Sequence, residues 1–316
     1  MAGVDVQRVV AVDWSGDRSA AGQRKKIWAG VWTAGAGGRM DGGWVTLEGG
    51  RTRVELAEWL IELARETPRM VVGIDCCFSF PAWFLEEHGC DTVFEFWRRA
   101  AEGKGEEWLH RECADGRFWG VTGSARTGKR PAEFSGEGLR RMMRTTDWEN
   151  KIAVRMDGGD EERAAKMRGI TAKSPFQIGG SGSVGTGSLR AMPVLMRLRE
   201  AGFAAWPFDA ARLGADEPTP LLVEMYTRLL TGPVAKSNGV ARRGYLLEKK
   251  KIDAAYAGLG RGVIAKAWAS EDAFDALVCC VEMLKRRNEF VRLRATSDSV
   301  LRLEGITWRP GVQGAE

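Results

Sequence analysis

The chain has 316 residues, 44% of them hydrophobic, with 47 basic and 42 acidic side chains, a formal charge of +5. That apolar content suffices to bury the core of one large or two ordinary domains, and so small a charge excess does not identify an anionic partner by itself. No run of about 18 apolar residues occurs, and the opening MAGVDVQR lacks a basic region followed by an apolar one, so neither a membrane span nor a signal peptide is expected and a cytoplasmic location is. Cys76–Cys77 and Cys279–Cys280 lie in apolar runs, which with Cys90 and Cys113 suits reduced thiols better than a disulfide framework.

In chain order, RVVAVD reads as a buried strand that stops on a carboxylate, Asp13, followed by Trp14, Ser15 and Gly16. IWAGVWTA (27–34) and WVTLEG (44–49) flank the glycine-rich GAGGRMDGG and complete an expected three-strand meander. RTRVELAEWLIELARE has helical apolar spacing and is closed by Pro68, after which MVVGIDCCF is a second buried strand ending on an acid, Asp75. Residues 79–178 are irregular, with short helical pieces around Thr92–Ala101 and Glu137–Arg144, and are read as an insertion subdomain. The core is assigned to 1–78 and 179–309: GGSGSVGTGS, a helix from Ser188 to Glu200, the strands AAWPF and TPLLVEMY, a basic connection to about Lys266, and a last helix, EDAFDALVCCVEMLKRR. In that helix Phe274, Leu277, Val278, Val281 and Leu284 form the expected core face; residues 310–316 read as a loose tail.

Two strands that present an acid at their C-terminal ends point to the crevice where α/β sheets bind ligands. Side by side, Asp13 and Asp75 resist ionising together, and a divalent cation removes that conflict. Oxygen ligands without His or Cys suit Mg²⁺ or Mn²⁺. Asp272 and Asp275, three apart at the start of the last helix, share a face; alone they read as first-turn acids that favour the helix dipole, with Ser270 or Asp272 capping. Glu224, inside an apolar strand, needs either a metal site or a buried arginine.

Ser15 and Gly16 permit a tight turn close to a phosphate, and Gly182, Ser183 and Gly185, before a helix, are further candidate phosphate contacts, although the loop lacks the lysine of a P-loop. His88, Cys90, His110 and Cys113 have spacings that admit a zinc site, with chance proximity the cheaper explanation. Trp83, Trp97, Trp108 and Trp119 lie among Arg98, Arg99, Arg111, Arg117 and Arg126; such mixtures stack bases, but more often form the core and rim of a subdomain. Lys236–Lys251 carries six basic residues and one acid, Lys285–Arg309 seven and three, as a nucleic-acid contact or as a solvated face.

The segments VDWSG, GIDCCFSFP, SPFQIGGSGSVGTGSL, WPFD, LLVEMY and DAFDALV resemble, in order, the family called domain of unknown function 429, described as a predicted nuclease. The last helix is also similar to the D-x-x-D-A-L of Holliday-junction resolvases. The resemblance implies a ribonuclease H-like α/β fold, a mixed sheet flanked by helices with a large insertion after the fourth strand. It further implies two-metal hydrolysis of DNA or RNA with Mg²⁺ or Mn²⁺. Asp13 would then bridge two ions, Asp75 hold one, Asp275 with Asp272 the other, and Glu224 be a fifth catalytic candidate. Two alternatives stay open: a nucleotide-hydrolysing or phosphoryl-transfer enzyme, since actin-like ATPases place glycine-rich phosphate loops around the same sheet, and a non-catalytic nucleic-acid-binding module.

Overall fold

The uninterrupted apolar runs become the middle of a sheet, because a strand covered on both faces has no side for polar residues. The computed structural model describes residues 6–35, 43–110, 113–120, 132–135, 137–156, 172–180 and 183–312. Its strands are β1 (Arg8–Asp13), β2 (Trp28–Thr33), β3 (Trp44–Gly49), β4 (Met70–Ile74), β5 (Ala204–Trp206) and β6 (Leu221–Glu224). They form one mixed sheet in the order β3-β2-β1-β4-β6-β5, flanked by helices, so the chain is an α/β protein. β2 runs antiparallel to β1 and β3, whereas β1, β4, β6 and β5 are parallel.

Alternate side chains of the central strands feed opposite faces. Val10, Val12 and Val72 meet the helices Arg53–Glu66 and Gly185–Glu200 through Leu56, Leu60, Leu189 and Leu195. Val9, Ala11 and Val71 meet the helix Glu271–Lys285 through Cys280 and Met283. That last helix is buried nearly all round from Ala273 to Leu284, more than one apolar stripe would be. The helices Gly239–Ile252 and Arg261–Ala269 cover its outer side with Leu246, Ile264 and Ala267.

Two expectations need correction, and the insertion proves to share the core. The meander is interrupted by a short helix, Ala20–Lys26, whose cap is Ser19 accepting from the Gly22 N–H. The helix placed at Ser188 begins at Gly185. The insertion does not stand apart: Phe80, Phe84, Phe96, Trp97, Trp108, Phe118 and Phe176 are buried in the same cluster as Val10, Val12 and Val72. Trp97, Trp108 and Trp119 are therefore core, as the commoner reading of such tryptophans holds, and Trp83 stacks on Phe176. Arg111, Arg126, Gly182 and the tail beyond Val312 lie outside the described residues.

No helix among the described residues is long and apolar enough to cross a membrane.

The last helix approaches β2 closely enough that a Cβ on Gly30 would lie 2.4 Å from the Ala276 carbonyl oxygen, one residue from Asp275. Gly30→Ala is therefore expected to lower stability by about 1–3 kcal/mol, the scale of overpacking. Denaturant titration checks this.

Candidate functional site

The parallel pairing of β1 with β4 sets Val12 opposite Ile74, and the Asp75 N–H donates to the Val12 carbonyl at 3.0 Å. Asp13 and Asp75 thus leave neighbouring strand tips on the same side of the sheet. The last helix brings Asp275 to the same place, buried at 2% exposure, while Asp272, one turn earlier, is half-buried. The helix cap is Ser270, which accepts from the Ala273 N–H, so Asp275 has no capping role.

The electrostatics follow from that placement. Burial pushes the Asp13 carboxyl well above its ordinary range, and Asp275, Asp75 and Asp272 push it further. Burial raises Asp75 to about 6 against the pull of Lys236. It raises Asp275 to about 6 as well, with Lys236 opposing and Asp75 adding. Asp272 is raised by burial and by Glu271. The cation in this cluster is Lys236, whose ammonium donates to Asp275 Oδ2 and lies 3.8 Å from Glu271. Asp75 Oδ1 accepts from the Thr227 N–H at 3.3 Å, and Asp275 Oδ1 is buried without a hydrogen-bond partner.

Lys236 and Arg242 belong to the basic stretch expected either to contact nucleic acid or to form a solvated face. Both turn inward: Arg242 donates to the carbonyls of Trp268 and Lys236, fixing the segment that delivers the ammonium.

Glu224 lies one register position before Asp75, on β6 beside Ile74, yet it has the other of its two expected partners. Arg144 donates to both its oxygens at 2.6 Å, the Phe78 N–H donates to Oε2 at 2.7 Å and the Thr307 hydroxyl to Oε1 at 2.6 Å. Its lone pairs are taken, which removes it from the metal and catalytic candidates. Among the described residues, the tight three-donor group is Cys77, Asp147 and Glu224, with ligand atoms within 4.8 Å of one another. It does not fit an ion: Arg144 also forks onto Asp147 at 2.9 and 3.0 Å, and burial keeps the Cys77 thiol protonated. His88, Cys90, His110 and Cys113 are not gathered as a donor group among the described residues, in keeping with chance proximity: His88 packs edge-on against Phe84, and the Cys90 thiol donates to the His88 carbonyl.

The Gly16 loop meets the start of the helix Gly185–Glu200 that follows the second glycine-bearing loop. A Cβ on Gly16 would lie 2.8 Å from the Gly187 nitrogen, Trp14 Nε1 donates to the Gly187 carbonyl at 2.9 Å, and Arg190 donates to the Gly16 carbonyl at 2.6 Å. Arg53 ties down the Ser15 and Asp17 carbonyls at 3.1 and 2.7 Å. Together the loops wall a cavity of about 430 Å³ that Ser15, Gly16 and Ser183 line and that reaches Asp75. Gly185 is not at the cavity; it packs on Pro175, where a Cβ would lie 2.1 Å from the carbonyl oxygen.

Compared with known protein families, curated proteins and solved structures, the chain matches none.

The site therefore speaks through its own chemistry. Both Asp75 and Asp275 hold protons in the folded state that the unfolded chain releases near 3.8. Stability of the metal-free protein is thus expected to decline as pH rises from 3.8 through about 6, and to stay lower above it. Thermal melts across this range measure it, and added Mn²⁺ should reverse the decline at the upper end.

Proposed function

We propose that the protein is a divalent-metal-dependent nuclease on a ribonuclease H-like fold, hydrolysing phosphodiester bonds of DNA or RNA. The observation that carries this reading is the convergence of buried Asp13 and Asp275 with half-buried Asp75, whose mutual repulsion one ammonium does not balance. Three carboxylates against Lys236 leave two negative charges, which matches a divalent cation. The sheet order supports the fold, since β2 lies antiparallel between β3 and β1 while β4 and β6 continue parallel to β1, with acids on the two central tips.

The donors match Mg²⁺ or Mn²⁺ in kind, and their oxygens, which do not all lie within 4.8 Å of one another in the metal-free chain, would close on the ion as it binds. They are all carboxylate oxygens, one of them unpartnered and buried. The nearby thiol, Cys279, is kept protonated by burial and by the same acids. Asp13, Asp75 and Asp275 would hold the metal, with Asp272 toward solvent. A bound ion would supply Lewis acidity toward the phosphate and lower the pKa of a water. The protein's own share is positional: two strand tips and a helix fix the carboxylates, the loops at Ser15–Gly16 and Ser183 shape the approach of the phosphate, and Lys236 holds Asp275 in the metal-free state. Lys236 then competes with the ion for Asp275 Oδ2.

Cleavage of a labelled single strand with Mn²⁺ tests the reading. Asp13→Asn should reduce the rate by about 10²-fold or more, the scale of losing one preorganised electrostatic group. Asp275→Asn should cost more than Asp272→Asn, following their burial. Phosphate release from free nucleotides without strand cutting would replace this reading with the nucleotide-hydrolysing alternative.

The competition has its own measurement. Lys236→Met should bind Mn²⁺ at least about tenfold tighter in calorimetry, a difference of about 1.4 kcal/mol, because a like charge leaves the site. Weaker binding would mean that Lys236 assists the ion rather than competing with it.

A further inference from the structure

The cavity beside the carboxylates has a polar wall that the metal chemistry does not use. Its volume, about 430 Å³, falls within the range of about 300–1,000 Å³ that encloses small ligands. A duplex, whose major groove alone is about 12 Å wide, does not enter such a space; one nucleotide does. One side of the rim is preformed, since the contacts of Trp14, Arg53 and Arg190 pin the loop Trp14–Asp17 to the helices Arg53–Glu66 and Gly185–Glu200.

Within the lining, Asp147 and Glu224 are occupied by Arg144. Asn150 differs. It is 5% exposed, it sits one turn beyond Asp147 on the helix Thr145–Met156, and it lines the cavity. Its uncharged amide stands outside the Arg144 network. An amide offers a donor and an acceptor side by side, the pairing that reads the edge of a base such as adenine. Trp14 and Tyr226 add aromatic surface to the same lining, and base stacking on such rings tolerates any sequence. Lys26 and Lys173 are its cationic side chains.

We propose that this cavity seats one unpaired nucleotide of the substrate, its base edge on Asn150, its base against Trp14 or Tyr226, and its phosphate toward Gly16 and Asp75. The inference rests on reading the Asp75 end as the cleavage centre. It selects single strands, frayed ends or extruded nucleotides over intact duplex, because a paired base has its edge occupied and its faces stacked.

The test compares adenosine 5′-monophosphate with ribose 5-phosphate by calorimetry in Mn²⁺. Both carry the phosphate, so their difference reports the base. The nucleotide should bind at least tenfold tighter, and Asn150→Ala should remove most of that advantage without changing Mn²⁺ affinity. Tyr226→Leu, a second variant on a different element, should weaken the nucleotide and leave the sugar phosphate unaffected. Equal binding of the two probes, or a folded Asn150→Ala protein with undiminished preference for the nucleotide, overturns the proposal. Strand cutting that persists beside such a result leaves the nuclease reading standing without this pocket. Nucleotide binding that depends on Asn150 in a protein that cuts no strand supports the pocket and removes the nuclease.

Discussion

Repulsion among carboxylates gathered at the tips of β1 and β4 is the constraint on which the rest of the site depends. A lone aspartate at a strand end turns toward water or caps its own turn. Here the parallel register between β1 and β4 places Asp13 and Asp75 on adjacent tips, and the bare backbone at Gly30 admits the last helix so closely that Asp275 joins them. The helices outside it then remove the solvent that would screen the three. Each of these arrangements raises the free energy of ionised carboxylates, and Lys236 offsets only part of it. Folds retain such tension where the charge is to be met by something else.

The other acid cluster of the cavity shows what a resolved case looks like. Arg144 spans Glu224 and Asp147 and also donates to the Glu304 carbonyl, while the Glu304 carboxylate accepts from the N–H groups of Ala82 and Thr145. Every partner is supplied from within, and the network ties the insertion to β6 and to the C-terminal segment. Such fully satisfied networks fix structure, and breaking one by removing a single partner costs about 3–5 kcal/mol. Two groups of acids thus lie close together, one whose carboxylates are hydrogen-bonded from within the chain and one that leaves a buried oxygen, Asp275 Oδ1, without a partner. That difference is the ground for reading the first as architecture and proposing the second as the metal site.

The sequence shows the skeleton of this arrangement and little of its balance. Apolar runs without alternation locate β1 and β4, the acids that end them are visible as residues, and the three-residue spacing of Asp272 and Asp275 marks a helix face. The helix Ala20–Lys26 is obscured by Gly22, although Ser19 followed by good helix formers is its signal. Glu224 carries a detectable demand for a partner, but Arg144 stands 80 residues away in an irregular stretch, and no local pattern connects them. Lys236 and Arg242 look like members of a basic face; only the packing of the turn at Lys236 and of the helix Gly239–Ile252 near Glu271–Lys285 turns them inward. Asn150 has no signature at all, because an amide becomes informative only once the fold sets it in the wall of a cavity. Spacing reveals periodic elements, whereas charge compensation is settled by contacts between segments distant in the chain.

The central claim is that the excess charge of Asp13, Asp75 and Asp275 is the receptor for a hard divalent cation. Anomalous diffraction from crystals soaked in Mn²⁺ addresses it directly. The account requires an anomalous peak coordinated by oxygens of Asp13, Asp75 and Asp275, with the Lys236 ammonium displaced from Asp275 Oδ2. A protein saturated with Mn²⁺ that shows no peak there, and keeps Lys236 on Asp275, would contradict it.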